Sequence, residues 1–178
     1  MATTHTLQCI CGQVRLELDG TPIVSTECHC RSCQTAAARM EALRGAPTVR
    51  SANGGTRLVL YRKDRVRVRS GEDLLREFRL APESKARRVV ASCCNTPVFL
   101  EFVGGHWLSL YGAMWGPRTP PALELRVMTA DRQHDVPLEN GVTNLPGHSG
   151  RFLAKLLGAW IAMAFRRPTM PAFGTIDV

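Results

Sequence analysis

"ECHCRSC", residues 27–33, places three cysteines within six positions, with a histidine between the first two. In an extended chain Cys28 and Cys30 point the same way and His29 points to the opposite side. Cys30 and Cys33 have the spacing of a metal-binding knuckle, and "SCQTAAARMEAL" predicts a helix from about Ser32. Free N–H groups and the dipole at a helix N-terminus favour thiolates there. Three convergent thiolates suit Zn²⁺, whose preferred shell is four-coordinate with soft ligands. No fourth ligand lies nearby in the sequence. Two readings follow: a catalytic site with three protein ligands and one open position, or a structural site closed by a distant residue.

Composition decides against disulfides. The chain has 178 residues, enough for one domain with a real core, and 44% hydrophobic with 21% charged residues is ordinary for a soluble globular protein. The start, "MATTHTLQCI", carries no basic region followed by an apolar run, so no signal peptide is expected. No apolar run reaches the roughly 18–20 residues of a membrane span. These features lead to the expectation of a cytoplasmic protein in a reducing compartment, where structural disulfides are rare. Seven cysteines, an odd number, also cannot all pair within one chain.

The other cysteines form two groups. In "LQCICGQVRLEL", Val14, Leu16 and Leu18 alternate with Gln13, Arg15 and Glu17, which is strand periodicity. Extended residues two apart share a face, so Cys9 and Cys11 would aim both sulfurs at one ion, with Gly12 turning the chain away. Two small strand residues with no ligand role is the alternative. In "RRVVASCCNTPVFLEF", Arg88–Ser92 and Pro97–Phe102 read as strands flanking a turn, with Asn95 in the left-handed conformation. Adjacent strand residues face opposite ways, so Cys93 and Cys94 would share an ion only through a kinked turn. Either could instead be a small buried residue.

Together, Cys9-Ile10-Cys11-Gly12, Cys28-His29-Cys30-Arg31-Ser32-Cys33 and Cys94-Asn95-Thr96-Pro97 resemble the glutathione-dependent formaldehyde-activating enzyme family, also called the centromere protein V/GFA domain family. "SGEDLLREF", residues 70–78, resembles that family's Gly-plus-aromatic strand, and the likeness covers roughly residues 7–115. The resemblance implies an Mss4-like fold of antiparallel β-sheets with two zinc ions. It also implies a structural set of Cys9, Cys11 and Cys94, and a catalytic set of Cys28, Cys30 and Cys33 with an exchangeable position for a thiol substrate. Two positions depart from the family pattern: Ala91 stands where a cysteine is expected, and Asn95 where a glycine is. The structural site is therefore either incomplete or completed by Cys93.

A proton must move in such chemistry, and His29, His106 and His134 are available, but each reads as a surface or structural histidine and none is nominated. The net charge of +8 includes "YRKDRVRVRS", where Arg65, Arg67 and Arg69 would line one strand face. That row would meet phosphates, steer an anionic thiol such as glutathione, or simply be solvated. Aromatic content of 6% without aromatic–basic interleaving argues against nucleic acid as a partner.

Gly104-Gly105 reads as a hairpin turn, and "WGPRTPPAL", 115–123, as a connector. Beyond it, Leu153, Leu156, Leu157, Trp160, Ile161 and Ala164 recur at helical spacing in "SGRFLAKLLGAWIAMAFRRP". This helix, near 150–166, would pack on the domain, lie on an acidic membrane surface, or join a homo-oligomer.

The expected architecture is mainly β, with a zinc-binding domain over residues 1–116 and a C-terminal extension over 117–178 packed on it. The expected function is a carbon–sulfur lyase-like reaction on a thiol–aldehyde adduct. The alternative is a non-enzymatic zinc-stabilised module that binds through its basic face or terminal helix.

Overall fold

The computed structural model describes residues 4–133, 135–139 and 141–178. In chain order the strands are β1 (Thr4–Gln8), β2 (Arg15–Asp19), β3 (Val24–Cys28), β4 (Thr56–Arg62), β5 (Val66–Ser70) and β6 (Leu75–Phe78). They continue with β7 (Ala86–Ala91), β8 (Thr96–Phe102), β9 (Trp107–Tyr111), β10 (Leu125–Val127), β11 (Thr143–Asn144) and β12 (Gly174–Thr175). Helix α1 (Arg31–Glu41) follows β3, and α2 (Gly150–Ile161) lies between β11 and β12. The architecture is mainly β, with largely antiparallel sheets.

One sheet has three strands in the order β1-β2-β5. The other has nine, in the order β11-β10-β3-β4-β9-β8-β7-β6-β12, antiparallel except where β10 meets β3 and β11 and where β12 meets β6. Strands of the large sheet alternate their side chains between two separate cores. On one face, Val59, Val89, Phe99, Leu108 and Leu110 pack against Leu7, Leu16 and Leu18 of the small sheet. On the other, Leu58, Leu60, Val90 and Leu100 meet Ala36, Ala37 and Met40 of α1 and Phe152 and Leu156 of α2. With both faces covered, its inner strands are almost continuously buried, which is why β4 ("TRLVLYR") and β8 ("TPVFLEF") lack polar alternation. The result is three layers: small sheet, large sheet, helices.

Residues 117–178 add β10, β11 and β12 to the same large sheet. The terminal helix ends at Ile161, earlier than its hydrophobic repeat suggests, because Ala164 and Phe165 turn at φ of 50° and 58°. It is fixed to the body by burial of Phe152, Leu156 and Met163 and by a Lys155–Glu124 ion pair. His106 Nε2 adds a hydrogen bond to Leu156 O at 2.8 Å. Leu153, Leu157 and Ile161 along the helix and Phe165 just beyond it are exposed. No described helix is long and apolar enough to cross a membrane.

Buried Lys63, Arg87 and Glu101, together with the partly buried Glu77 that also pairs with Arg87, balance two positive against two negative charges at the large sheet. The arginine row expected on β5 is not free. Arg65 belongs to the turn before the strand, Arg67 Nη1 reaches Asp19 Oδ2 at 2.6 Å, and Arg69 Nε reaches Glu17 Oε2 at 2.9 Å. β2 pairs with β5, so its acidic side chains stand beside that row. A phosphate would have to displace them.

Candidate metal centres

Cys9 and Cys11 are not on a strand. They occupy the tight connection from β1 to β2, where Cys9 N–H donates to Val14 O and Gly12 N–H to Cys9 O. Strand periodicity resumes only at Arg15, and a turn, not a shared strand face, brings the two sulfurs to 3.5 Å. Cys93 and Cys94 form the corresponding turn between β7 and β8, closed by Cys94 N–H on Ala91 O and by Asn95 at φ 54°. The turn is kinked enough to send both sulfurs the same way.

Cys93 Sγ lies 3.3 Å from Cys11 Sγ, 3.9 Å from Cys9 Sγ and 3.8 Å from Cys94 Sγ. All four sulfurs fall within 4.8 Å of one another. A tetrahedron with Zn–S near 2.3 Å has an edge of about 3.8 Å, so this set suits one zinc ion with every vertex filled by sulfur. Ala91, where the sequence pattern lacks its cysteine, is fully buried against the core, and Cys93 brings the fourth sulfur into the set. Cys94 is drawn down to about 7: burial raises it, but hydrogen bonds from Thr96 and from the backbone of Cys11 and Thr96 outweigh that. Burial raises Cys9 and Cys93.

The second cluster forms where β3 hands over to α1. Cys28 ends the strand, Cys30 is the helix N-cap, and Cys33 lies in the first turn. The three sulfurs also lie within 4.8 Å of one another, and Cys33 N–H donates to Cys30 Sγ at 3.4 Å. Cys30 is pulled well below the ordinary thiol range, chiefly by hydrogen bonds from the thiols of Cys28 and Cys33, with Arg88 adding positive charge. The same bonds hold Cys28 and Cys33 up. Of the three thiols, Cys30 is thus the one drawn toward the thiolate, while Cys28 and Cys33 are held toward the protonated form. A soft divalent cation would replace those protons, and three sulfurs so placed fit zinc.

This cluster opens on a cavity of about 470 Å³. Its walls are largely apolar: Leu58, Leu60, Leu100 and Trp107 from the large sheet, and Phe152 and Leu156 from α2. Of the four-cysteine set only Cys9 lines a described cavity, one of about 570 Å³ shared with Thr6, Gln8, Ile10 and Trp115, whereas all three cysteines of the second cluster line theirs. Among the residues lining the cavity, Arg88 is the one Arg, Lys, Asp or Glu. It is 1% exposed, and its Nη2 donates to Ser32 Oγ at 2.7 Å, beside Cys33. Its Nε and Nη1 find no acceptor among the described residues. His148, exposed and 5.1 Å from the Phe152 ring, also lines the cavity.

The other histidines are placed elsewhere. His29 turns away from the cluster as the alternation predicts and is buried 3.4 Å from Glu27 Oε2. Glu27 also accepts from Asn53 Nδ2 at 3.0 Å and Arg126 Nε at 2.9 Å. Burial raises its carboxyl, but these partners and Ser51 prevail and hold it at about 2. Gly55 permits this contact, since a Cβ there would lie 2.5 Å from Glu27 Cγ and 2.8 Å from His29 Cε1. His106 anchors α2 and stacks on Trp160, and His134 lies outside the described residues.

Sequence reading missed Arg88 and His148. "ARRVVA" gives no sign which arginine is buried, and nothing in "LPGHSG" marks its histidine as a cavity residue. Residues 4–110 match a family model described as glutathione-dependent formaldehyde-activating enzyme. No curated protein matches the chain.

Proposed function

Since the chain belongs to the glutathione-dependent formaldehyde-activating enzyme family, we propose that it is a zinc-dependent carbon–sulfur lyase acting on the adduct of a glutathione-type thiol and an aldehyde. In this reading Cys28, Cys30 and Cys33 hold the reacting centre, and Cys9, Cys11, Cys93 and Cys94 hold a structural zinc. The Mss4-like arrangement and a cytoplasmic location go with the same proposal.

One observation carries it: three sulfurs face a cavity, while the other set supplies four. When bound, zinc would keep a substrate thiolate nucleophilic at neutral pH by replacing its proton. In the forward direction the thiol loses its proton, sulfur bonds to the carbonyl carbon, and the C=O π pair moves to oxygen, which is then protonated. The lyase direction reverses each step. Arg88 supplies fixed positive charge close to where the oxygen becomes negative, in a water-poor setting that strengthens it. The apolar walls limit water at the reacting carbon. His148, at the cavity lining and in contact with solvent, is the histidine placed to exchange the proton.

The test is zinc stoichiometry, melting temperature and aldehyde–thiol turnover for wild type and Cys30→Ser. Loss of one zinc together with turnover, in a protein that stays folded, is expected. Two zincs bound in shells closed by protein, with no turnover, would leave the second reading: a zinc-stabilised binding module. The exposed row Leu153, Leu157, Ile161 and Phe165 favours that reading through α2, whereas the acid-paired basic face no longer does.

A further inference from the structure

The family match ends at residue 110, but the cavity does not. Val127, Met128, His148, Phe152, Leu153 and Leu156 come from beyond the match: Val127 extends the sheet side through β10, and the residues of α2 with His148 build the wall that covers it. Apart from His148 this wall is apolar, and the sheet residues facing it are apolar apart from Thr26, Ser109 and Arg88. Glutathione brings two carboxylates and an ammonium, and one buried arginine cannot compensate that set inside such walls. A cavity of about 470 Å³ is nonetheless within the usual size range of small-molecule sites, about 300–1,000 Å³.

We propose that the cavity takes the apolar body of the aldehyde-derived part of the adduct, an alkyl chain or aryl ring of about six carbons, rather than a single-carbon unit. The charged thiol carrier then stays at the mouth. The proposal rests on the reaction assigned above and names its substrate class.

Orientation follows from charge. Arg88 and the three cysteines mark the polar end, beside Ser32 at the start of α1. Trp107, Phe102 and the α2 side chains mark the apolar end, where the Phe102 and Trp107 rings stand 6.1 Å apart. The reacting carbon and its oxygen belong at the first end and the carbon chain at the second. Phe102 and Leu153, 44% and 56% exposed, form the rim. Both can be changed without opening the core.

Calorimetric titration of the zinc-loaded protein with S-methylglutathione and S-hexylglutathione reads this directly, because the two ligands share one carrier and differ only in tail length. The hexyl compound should bind at least about tenfold tighter. Leu153→Asp and Phe102→Ser should each weaken it by about fivefold, leaving the methyl compound within about twofold and the zinc content unchanged. Turnover of the hexanal–glutathione adduct should exceed that of the formaldehyde adduct. A hexyl compound that binds no tighter than the methyl one overturns the proposal. So does an equal loss of both ligands in the rim variants. A hexyl preference that persists where no adduct is turned over would sink the reaction while leaving the cavity's assignment standing.

Discussion

Four sulfurs gather at the tips of two hairpins, and three gather where a strand becomes a helix. The first set joins turns 82 residues apart in sequence, Cys11 to Cys93, and Cys9 is seated in the core between the sheets. Its four sulfurs, all within 4.8 Å of one another, would fill every corner of a zinc shell. The second set draws all its members from six consecutive positions, supplies three sulfurs and lines a cavity. In the proposed function the same residue type serves two ends. Ligands far apart in sequence lend metal affinity to folding, and ligands from one short stretch cost little chain entropy to assemble and can leave a position open.

Reciprocal cysteine substitutions test that difference hardest. Cys9→Ser should lower the melting temperature by about 10 °C or more, since losing several kcal/mol shifts a chain of this size by about 2–4 °C per kcal/mol. Cys30→Ser should shift it by less than about 5 °C while removing one zinc and the turnover. Equal thermal losses would break the comparison.

Acid should act through the support behind the second cluster. Glu27 lies next to Cys28 and its carboxyl is held at about 2, below its ordinary 4.5. A lowered carboxyl contributes stability that is complete above its unfolded value and is lost as pH falls toward its folded one. On the order of 3 kcal/mol should thus disappear between about pH 4.5 and 2. Denaturant midpoints measured across that window should fall in wild type and fall less in Glu27→Gln. Identical profiles would remove Glu27 from the account.

Gly55→Ala probes the same support by shape. Its Cβ would collide with Glu27 and His29, so a loss of about 1–3 kcal/mol is expected, with weaker metal retention at Cys28, Cys30 and Cys33 than at the other set. Metal lost equally from both would mean that the effect is global. Asn95→Ala should have the smallest effect, about 1 kcal/mol, because it places alanine in the left-handed region and removes the Asn95 Nδ2 bond to Arg44 O. It should touch only the four-cysteine set, read as slower refolding of metal-bound protein with the cavity's ligand affinity intact.

The legible parts of the molecule were those fixed by short-range pattern. The helix after Cys30 begins at Arg31, within a residue of its expected start, because the knuckle and the N-cap lie in the same few residues. The β7–β8 turn and its left-handed Asn95 were legible for the same reason. Cys9 and Cys11 were misplaced on a strand because the alternation of Val14, Leu16 and Leu18 does not extend back through the turn. β4, an interior strand of the large sheet, carries no alternating pattern, since burial on both faces erases it.

The sequence by itself determined the chemistry available: seven thiols, three spaced motifs and a terminal amphipathic helix. Spacing within a few residues constrains geometry directly, so local ligand sets survive translation into structure. Only the tertiary structure decided that Cys93 joins Cys9, Cys11 and Cys94, that the arginines of β5 are paired with β2, and that α2 walls a cavity around Arg88. Each of these depends on segments brought together across tens of residues by burial of apolar surface. That force is nearly non-directional, so which polar groups it places side by side is settled only when the layers pack.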